Sequence, residues 1–517
     1  MLAAQFAWVK PTNFAGYDEW LILSQVDRGI VDVPYAGRPL GLLPSLPERL
    51  LPSSLWSWFA LHAAYLAGEG ALVFLLCLRL LPARPLVAFL AGVFASTWAP
   101  LDQQRLNVIQ PYAGYAFLSC AALVLLVESW RRSHAVLIAT AALLAFVDVR
   151  AYEASVALLL GAPVLLLWSK TRPARAWTWV AAWETVVALA LALAALPLLL
   201  PGRDTAYQQL MMGGIDLHPL RLLARFGAQY RYHLEALVRT SPAQLGIAPV
   251  AAAVAVYALA FWLLARRAPA PVLPARRELA AVALLGLVLA GLGYAVLVMS
   301  PRFFLASRAQ FLSAPGIALF LAAGFALLAS FAPERLRAAF LGVLGAWVVA
   351  VGAERTLFLQ RHWDGVTVYA EQVRLLRGLV ALAPRFKPNT LVLLLDEADV
   401  FKATFPFRHA LTLLYAGEAT GHALGKWDFG YPIRVTPAGI ASEPYPSLRG
   451  AEAVTFHRYD EIVLVHQPKQ GELRLLEDWP AGVLPPLPPD ARYAPLARIT
   501  QGPAPPGRWV LRDPSLP

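Results

Sequence analysis

Long apolar runs separated by short polar loops make up the first two-thirds of the chain. A helix needs about 20 apolar residues to cross the hydrocarbon core of a bilayer. Ten runs approach or reach this length, two of them being short. They cover residues 56–80, 85–101, 111–128, 134–149, 152–169, 177–200, 244–265, 279–299, 314–332 and 338–358. This pattern predicts a mostly α, polytopic membrane domain over residues 1–358.

The pattern changes over residues 359–517, which are rich in proline and polar residues. A helical pattern in VYAEQVRLLRGLVALAPRF is followed by strand-like runs at 390–397, 461–467 and 509–513. Strands and a helix separated by turn residues indicate a small α+β domain. We therefore expect two domains, with the membrane part first.

Two shorter patterns belong to the loops of the membrane domain. EWLILSQVDRGI, in the first loop at residues 10–55, has helical spacing and predicts a short helix lying at the membrane interface. LRLLARFGAQYRYHLEALV, in the loop at 201–243, places leucines and arginines on opposite faces, as in an interfacial helix. Residues 1–9 are apolar but too short to cross a bilayer. We interpret them as the end of a first helix that begins upstream, which gives about 10–11 transmembrane helices.

Composition agrees with a membrane location. The chain is 58% hydrophobic and 15% charged, with a mean hydropathy of +0.55, whereas soluble domains contain roughly 25% charged residues. The net charge of +11 would suit nucleic acid, but most basic residues fall in alternate short loops, which identifies those loops as cytoplasmic. The five arginines of the 201–243 loop depart from this rule. The charges thus predict an integral inner or plasma membrane protein that binds no nucleic acid and has loop 10–55 and the C-terminal domain on the exterior, periplasmic side.

Asp18 and Glu19, adjacent in the first loop, are the first candidates for chemistry. A carboxylate can accept the proton of an acceptor hydroxyl, and a neighbouring carboxylate can raise its pKa or help to hold a divalent metal cation. The structural alternative is that both are acidic residues at a helix N-terminus, where the helix dipole favours them.

Arginines near the exterior ends of the runs form further candidate sets. Arg150, Tyr152 and Glu153 occupy a bend between two runs, where the arginine could hold a phosphate or pair with Glu153. Arg302 and Arg308 lie among aromatic residues, a setting that suits a lipid-borne phosphate or simple anchoring at lipid headgroups. Arg105 belongs to a weaker set.

The order of these pieces resembles the GT-C superfamily of polytopic glycosyltransferases, which includes protein O-mannosyltransferases and lipid A aminoarabinose transferases. In that family an acidic motif follows the first membrane helix, and YDEW, with Asp18 and Glu19, occupies this place. RPL at Arg38–Leu40, the charged bend RAYE and the segment SRAQFLSAPGIALFL match more loosely. The resemblance covers roughly residues 1–358, and the C-terminal domain matches no accessory domain of the family.

The resemblance implies a cell-envelope enzyme that transfers a sugar, with inversion, from a polyprenyl-phosphate-linked donor to an acceptor glycan, lipid or protein. Asp18 would be the general base, and Glu19 would support it or help to bind a divalent cation. Arg150 and Arg308 would bind the leaving phosphate. The other substrate-binding residues would be Arg38, Arg105, Tyr152, Glu153 and Arg302.

Two other classes of protein compete with this interpretation. A transporter or flippase for lipid-linked sugars would carry charged residues in the middle of its spans, together with broken helices in paired halves. A non-catalytic membrane anchor for the C-terminal domain would need nothing special in loop 10–55.

Overall fold

The computed structural model describes residue 16 and ten ranges, which are 18–33, 38–97, 107–168, 176–199, 213–238, 247–267, 273–302, 310–426, 431–442 and 454–512. They fold into two compact units. The described parts of 37–44 and 59–361 form a helical unit, and those of 10–36, 45–58 and 362–517 form a mixed unit of helices and strands. The predicted boundary at 358/359 lies close to the division at 361/362, whereas most of the predicted first loop belongs to the mixed unit.

The helices are numbered in chain order. They are α1 (Asp18–Asp27), α2 (Leu55–Leu80), α3 (Pro85–Thr97), α4 (Tyr112–Arg132), α5 (Ala135–Ala151), α6 (Val156–Gly161), α7 (Ala176–Leu199), α8 (Pro219–Val238), α9 (Ile247–Arg267), α10 (Arg276–Val298), α11 (Ala314–Ala329), α12 (Glu334–Thr367), α13 (Tyr369–Leu382) and α14 (Thr404–Leu414). The strands are β1 (Arg385–Phe386), β2 (Thr390–Asp396), β3 (Ala419–Ala423), β4 (Ile433–Thr436), β5 (Gly439–Ser442), β6 (Thr455–His457), β7 (Ile462–Gln467), β8 (Arg474–Leu476) and β9 (Ile499–Thr500).

The prediction of a mostly helical chain is confirmed, and the structure is compatible with a multi-pass membrane protein. Over their described residues, the ten predicted runs fall on helical segments. Within the described residues, six helices are long and apolar enough to cross a membrane. They are Leu55–Leu80, Tyr112–Arg132, Trp177–Leu196, Ala248–Arg267, Arg276–Val298 and Glu334–Leu359. A total of ten or eleven crossings stays a prediction.

One predicted run, 152–169, is not a continuous α-helix. It consists of 3-10 turns at Glu153–Ser155 and Ala162–Trp168 on either side of the short helix α6. Pro163 removes a backbone donor shortly after Gly161, and both residue types weaken an α-helix interior. The bend before this segment therefore joins α5 to an irregular helical stretch.

α10 and α11 pack closely against each other through small residues. A Cβ atom on Gly286 would lie 2.6 Å from the backbone nitrogen of Phe320 and 2.7 Å from the carbonyl oxygen of Gly316. Backbones approach this closely only where side chains are absent, which is a common way to pack membrane helices. The backbones of α10 and α11 thus approach each other closely within the helical unit.

In the mixed unit, β2 is one of the two inner strands of a four-stranded sheet with strand order β3-β2-β7-β8. β2 runs parallel to β3 and β7, with Leu393 opposite both His422 and Leu464, while β8 is antiparallel to β7. β4, β5 and β6 form an antiparallel sheet, and β1 pairs with β9. The predicted strands at 390–397 and 461–467 are confirmed as β2 and β7.

The third predicted strand, at 509–513, is wrong over its described residues, because Pro506–Leu511 forms a 3-10 helix. Pro505 and Pro506 precede the apolar residues, and their fixed φ angles and missing donors favour a turn over a ladder.

The short helix predicted in the first loop is present as α1, but its predicted place at a membrane interface is wrong. All of its residues from Glu19 to Val26 are buried in the mixed unit, where α1 packs against α14. Trp20 is fully buried and donates a 2.8 Å hydrogen bond from Nε1 to Oε1 of Gln372. Apolar residues on every face make α1 a core helix, since an interfacial helix needs a polar face.

Candidate functional site

A part of the first loop, residues 38–41, is held to the bend after α5 by one arginine. Arg38 donates from Nε and Nη2 to the two carboxylate oxygens of Glu153, at 2.8 and 2.7 Å. This two-point geometry is the strongest form of an arginine–carboxylate contact. Tyr152, between the end of α5 and Glu153, is extended with φ −151° and ψ 103°, so the chain turns here and presents Glu153 to Arg38.

Aromatic rings form a wall beside this ion pair. The guanidinium carbon of Arg38 lies 4.5 Å from the ring centre of Tyr152. The Tyr152 ring also stacks on the Tyr115 ring, with ring centres 5.0 Å apart. It contacts the rings of Tyr112 and Phe311, with ring centres 5.7 and 5.4 Å away. A cation over an aromatic face is attracted by the ring quadrupole. The Tyr152 ring therefore helps to hold the Arg38 guanidinium in place.

The hydrogen bond from the Tyr115 hydroxyl to the Gly41 carbonyl adds a second attachment of residues 38–41 to the helices. Burial alone would lower the pKa of Arg38, but the charge and hydrogen bonds of Glu153, with smaller contributions from Tyr152 and Tyr115, outweigh it and raise that pKa. The Arg38 side chain is 25% exposed and that of Glu153 is 39% exposed. The pair uses Nε and Nη2, which leaves the Nη1 donors of Arg38 for a third group.

A buried carboxylate supports the bend from behind. Asp148, in the last turn of α5, is fully buried and accepts a hydrogen bond from the Ser119 hydroxyl of α4. Its backbone carbonyl also accepts the 2.7 Å hydrogen bond of the Tyr152 amide. Asp148 thus connects α4 to the turn that presents Tyr152 and Glu153.

Sequence reasoning missed Asp148, Ser119, Tyr112, Tyr115 and Phe311. A signal for Asp148 was present, because a carboxylate within an apolar run is costly to bury and is a candidate for function by default. The rings gave no signal, since aromatic residues in apolar runs are usually core.

Asp18 and Glu19 lie in the mixed unit, in the first turn of α1. Asp18 is half-buried, and Glu19 is buried and accepts a 3.1 Å hydrogen bond from the backbone amide of Gly16. The Glu19 carboxylate thus accepts a hydrogen bond from a backbone amide just before α1. This fits the structural alternative, in which both residues are acidic groups at a helix N-terminus. Among the described residues no group of three or more His, Cys, Asp or Glu side chains could hold a metal ion.

The predicted arginines are only partly brought together. Arg150 is half-buried in the last turn of α5, and Arg302 is exposed just after α10. Arg105 and Arg308 lie outside the described residues. The structure joins Arg38, Tyr152 and Glu153 into one site in the helical unit.

Comparisons with known proteins do not assign the chain to a family. No family model matches the chain, and a search of curated proteins finds no significant match.

Proposed function

We propose that the chain is a membrane glycosyltransferase that takes a sugar from a polyprenyl-phosphate donor and transfers it, with inversion, on the exterior side of the membrane. The observation that carries the proposal is the Arg38 guanidinium, which Glu153 and Tyr152 hold in place beside a wall of aromatic rings. A fixed guanidinium with free donors matches a phosphate. The resemblance to polytopic glycosyltransferases supports the same reaction.

In this reaction an oxygen of the acceptor hydroxyl forms a bond to the anomeric carbon. The bond from that carbon to the phosphate oxygen breaks, and the lipid phosphate leaves with the electron pair. The resemblance assigns the hydroxyl proton to Asp18, and it gives Glu19 a supporting role or a part in binding a divalent cation. Arg38 stabilises the negative charge that grows on the leaving phosphate, with Arg150, Arg302 and Arg308 as further donors of positive charge.

The role of Glu153 is to position Arg38. An arginine near apolar helices would otherwise adopt several side-chain conformations, and ordering it when substrate binds costs entropy. The two-point contact with Glu153 orders it beforehand. Asp148 contributes indirectly, because it fixes the turn that presents Tyr152 and Glu153.

The proposal is tested with purified protein in lipid nanodiscs, by measuring the release of polyprenyl phosphate from a panel of polyprenyl-phosphate sugars. Arg38→Lys keeps the positive charge but loses the planar two-point contact. We expect turnover to fall about 10- to 100-fold, since charge-assisted hydrogen bonds contribute about 1.5–3 kcal/mol. Asp18→Asn should abolish transfer and leave membrane insertion intact.

The matched control is Arg132→Lys, because Arg132 also pairs with a glutamate of the helical unit, Glu128, but is 64% exposed. It should leave turnover unchanged. An Arg38→Lys variant with unimpaired turnover would remove Arg38 from the site, and a chain that releases no lipid phosphate from any donor would contradict the proposed reaction.

A transporter of lipid-linked sugars is the second candidate, because two of its expected features are present. Glu69 is fully buried near the middle of the candidate span Leu55–Leu80, and residues 153–168 form a broken helical segment. Buried charges in spans and interrupted helices are frequent in transporters. Movement of a labelled lipid-linked sugar across liposomes without cleavage of its phosphate bond would favour this candidate.

A further inference from the structure

α8 is fastened at its beginning to the end of α10. The backbone amide of Asp216 donates a 2.8 Å hydrogen bond to the carbonyl of Met299, and Arg225 donates one of the same length to the carbonyl of Val298. Arg225 also pairs with the Asp216 carboxylate at 2.8 Å. The first turns of α8 therefore lie where the candidate span Arg276–Val298 ends.

Further along, α8 follows α10 away from that end. Phe226 and Tyr230 both contact the Tyr294 ring, with centres 5.7 and 5.5 Å apart, and the Tyr230 hydroxyl donates a 2.7 Å hydrogen bond to the carbonyl of Leu287. From Val298 to Leu287 a helix rises roughly 16 Å at 1.5 Å per residue. Half of the hydrocarbon core is about 15 Å thick. Tyr230 therefore reaches the middle of a span.

A contact with a second candidate span places the C-terminal end of α8 near the middle of that span as well. Nε1 of Trp347 donates a 3.0 Å hydrogen bond to the carbonyl of Leu237. Trp347 lies in the candidate span Glu334–Leu359, roughly 18–20 Å along the helix from either end. The contacts with α10 and α12 are independent of each other and agree.

One face of α8 is exposed and apolar. Leu220 is 72% exposed, Leu223 69%, Leu234 54% and Val238 78%. Gln229 and His233 are buried on the opposite side. We propose that α8 is a re-entrant helix, which enters the bilayer at the end of α10 and exposes its leucine face to lipid acyl chains. This position differs from the predicted one, in which the helix lies along the membrane surface.

The exposed charged residues of α8 fit this position because they are paired, Arg221 with Asp216 at the beginning of the helix and Arg231 with Glu235 further along. Arg231 and Glu235 are one helical turn apart and their side chains meet at 2.5 Å, so their charges cancel. A paired charge costs much less in an apolar medium than an isolated one. The long arginine side chain can also extend toward the polar headgroups.

Depth measurements with nitroxide labels in liposomes test the proposal. Labels are placed by Leu220→Cys, Leu234→Cys and Val238→Cys, and the unsubstituted protein gives the background, since both native cysteines are buried. Leu259→Cys near the middle of α9 is the lipid reference and Leu496→Cys in the mixed unit is the aqueous reference, both native side chains being 58% exposed. Collisions with molecular oxygen and with a water-soluble nickel complex report depth.

The proposal expects the oxygen-to-nickel collision ratio at 234 and 238 to approach that at 259 and to exceed the ratio at 220 several-fold. A ratio at 234 and 238 equal to that at 496 would place α8 in water. Equal ratios at 220, 234 and 238, all intermediate, would show a helix lying along the membrane surface. Either result would overturn the proposal, and both are independent of enzymatic activity.

Discussion

At the scale of single residues, the charge of Glu48 depends on its surroundings. It belongs to the mixed unit, and its side chain is buried, with 7% exposed. Burial raises the pKa of Glu48 to about 7, the nearby charge of Asp27 adds to the effect, and Arg49 opposes it. The folded protein therefore binds a proton at Glu48 at a pH where the unfolded chain has lost it.

This shift predicts that stability falls as pH rises. The folded-state pKa of about 7 is above the ordinary value of 4.5, so the folded state holds more protons between these values and each rise in pH favours unfolding. Glu48→Gln should remove this slope and stabilise the protein by about 1–2 kcal/mol at pH 8, allowing for partial solvation. Thermal unfolding from pH 5 to 8 measures the effect. Glu472→Gln, at an exposed carboxylate of the same unit, should leave the slope unchanged, and an unchanged slope in Glu48→Gln would contradict the prediction.

The candidate site could be predicted only in part at this scale. Arg38, Tyr152 and Glu153 all belong to the motifs that sequence analysis selected, but Arg38 and Glu153 are 115 residues apart, and nothing in their local sequences couples them. Asp148 was overlooked because it lies within an apolar run. For the same reason its burial is informative, since a carboxylate is costly to bury among apolar residues. Pairing across distant segments depends on how helices pack, and periodicity describes each helix alone.

At the scale of elements, the closeness of α10 and α11 depends on glycine at particular positions. Gly316 faces α10, where an added Cβ atom would lie 2.6 Å from the Gly286 carbonyl oxygen, whereas an added Cβ at Gly324 of the same helix would meet nothing within 4 Å. Gly316→Ala should destabilise the protein by about 1–3 kcal/mol through overpacking, despite the better helix propensity of alanine. Gly324→Ala is the matched control and should stabilise by up to about 1 kcal/mol. Thermal unfolding in detergent measures both, and equal effects of the two variants would show that the packing is looser than described.

Helices were predicted best where a long apolar run determines them. The apolar runs specify helices because every backbone group in a bilayer must be bonded within the segment. Short segments were less predictable, since α1 and residues 509–511 are apolar stretches whose partners lie elsewhere in the chain. α1 was placed at an interface because its burial in the mixed unit depends on residues more than 350 positions away, as the Trp20–Gln372 separation of 352 shows.

At the scale of the whole molecule, the mixed unit is assembled from the two ends of the chain. Trp20 of α1 is fully buried, contacts Tyr369 with ring centres 6.0 Å apart, and bonds to Gln372. Trp20→Ala should destabilise the mixed unit by about 3–5 kcal/mol, since it leaves a large cavity and removes the hydrogen-bond donor of the Gln372 side-chain oxygen. Amide hydrogen exchange should then accelerate at least about 100-fold in β2 and α14, while α10 and α11 keep their rates. Leu496→Ala, at a side chain that is 58% exposed, is the control, and unchanged exchange in β2 and α14 of Trp20→Ala would show that α1 is dispensable.

The union of α1 with α13 and α14 also limits how the chain can thread a bilayer. If the mixed unit lies outside a bilayer that the helical unit crosses, its segments lie on one side, and the chain between residues 58 and 362 then crosses an even number of times. The six long apolar helices satisfy this parity, and so do the ten predicted runs. Adding the three shorter apolar helices, Pro85–Thr97, Glu153–Trp168 and Ala314–Ala329, to the six long ones would give an odd number of crossings. Adding α5 as well would make the number even again. The burial of one tryptophan near residue 20 would thus restrict the topology of some 300 residues of the helical unit.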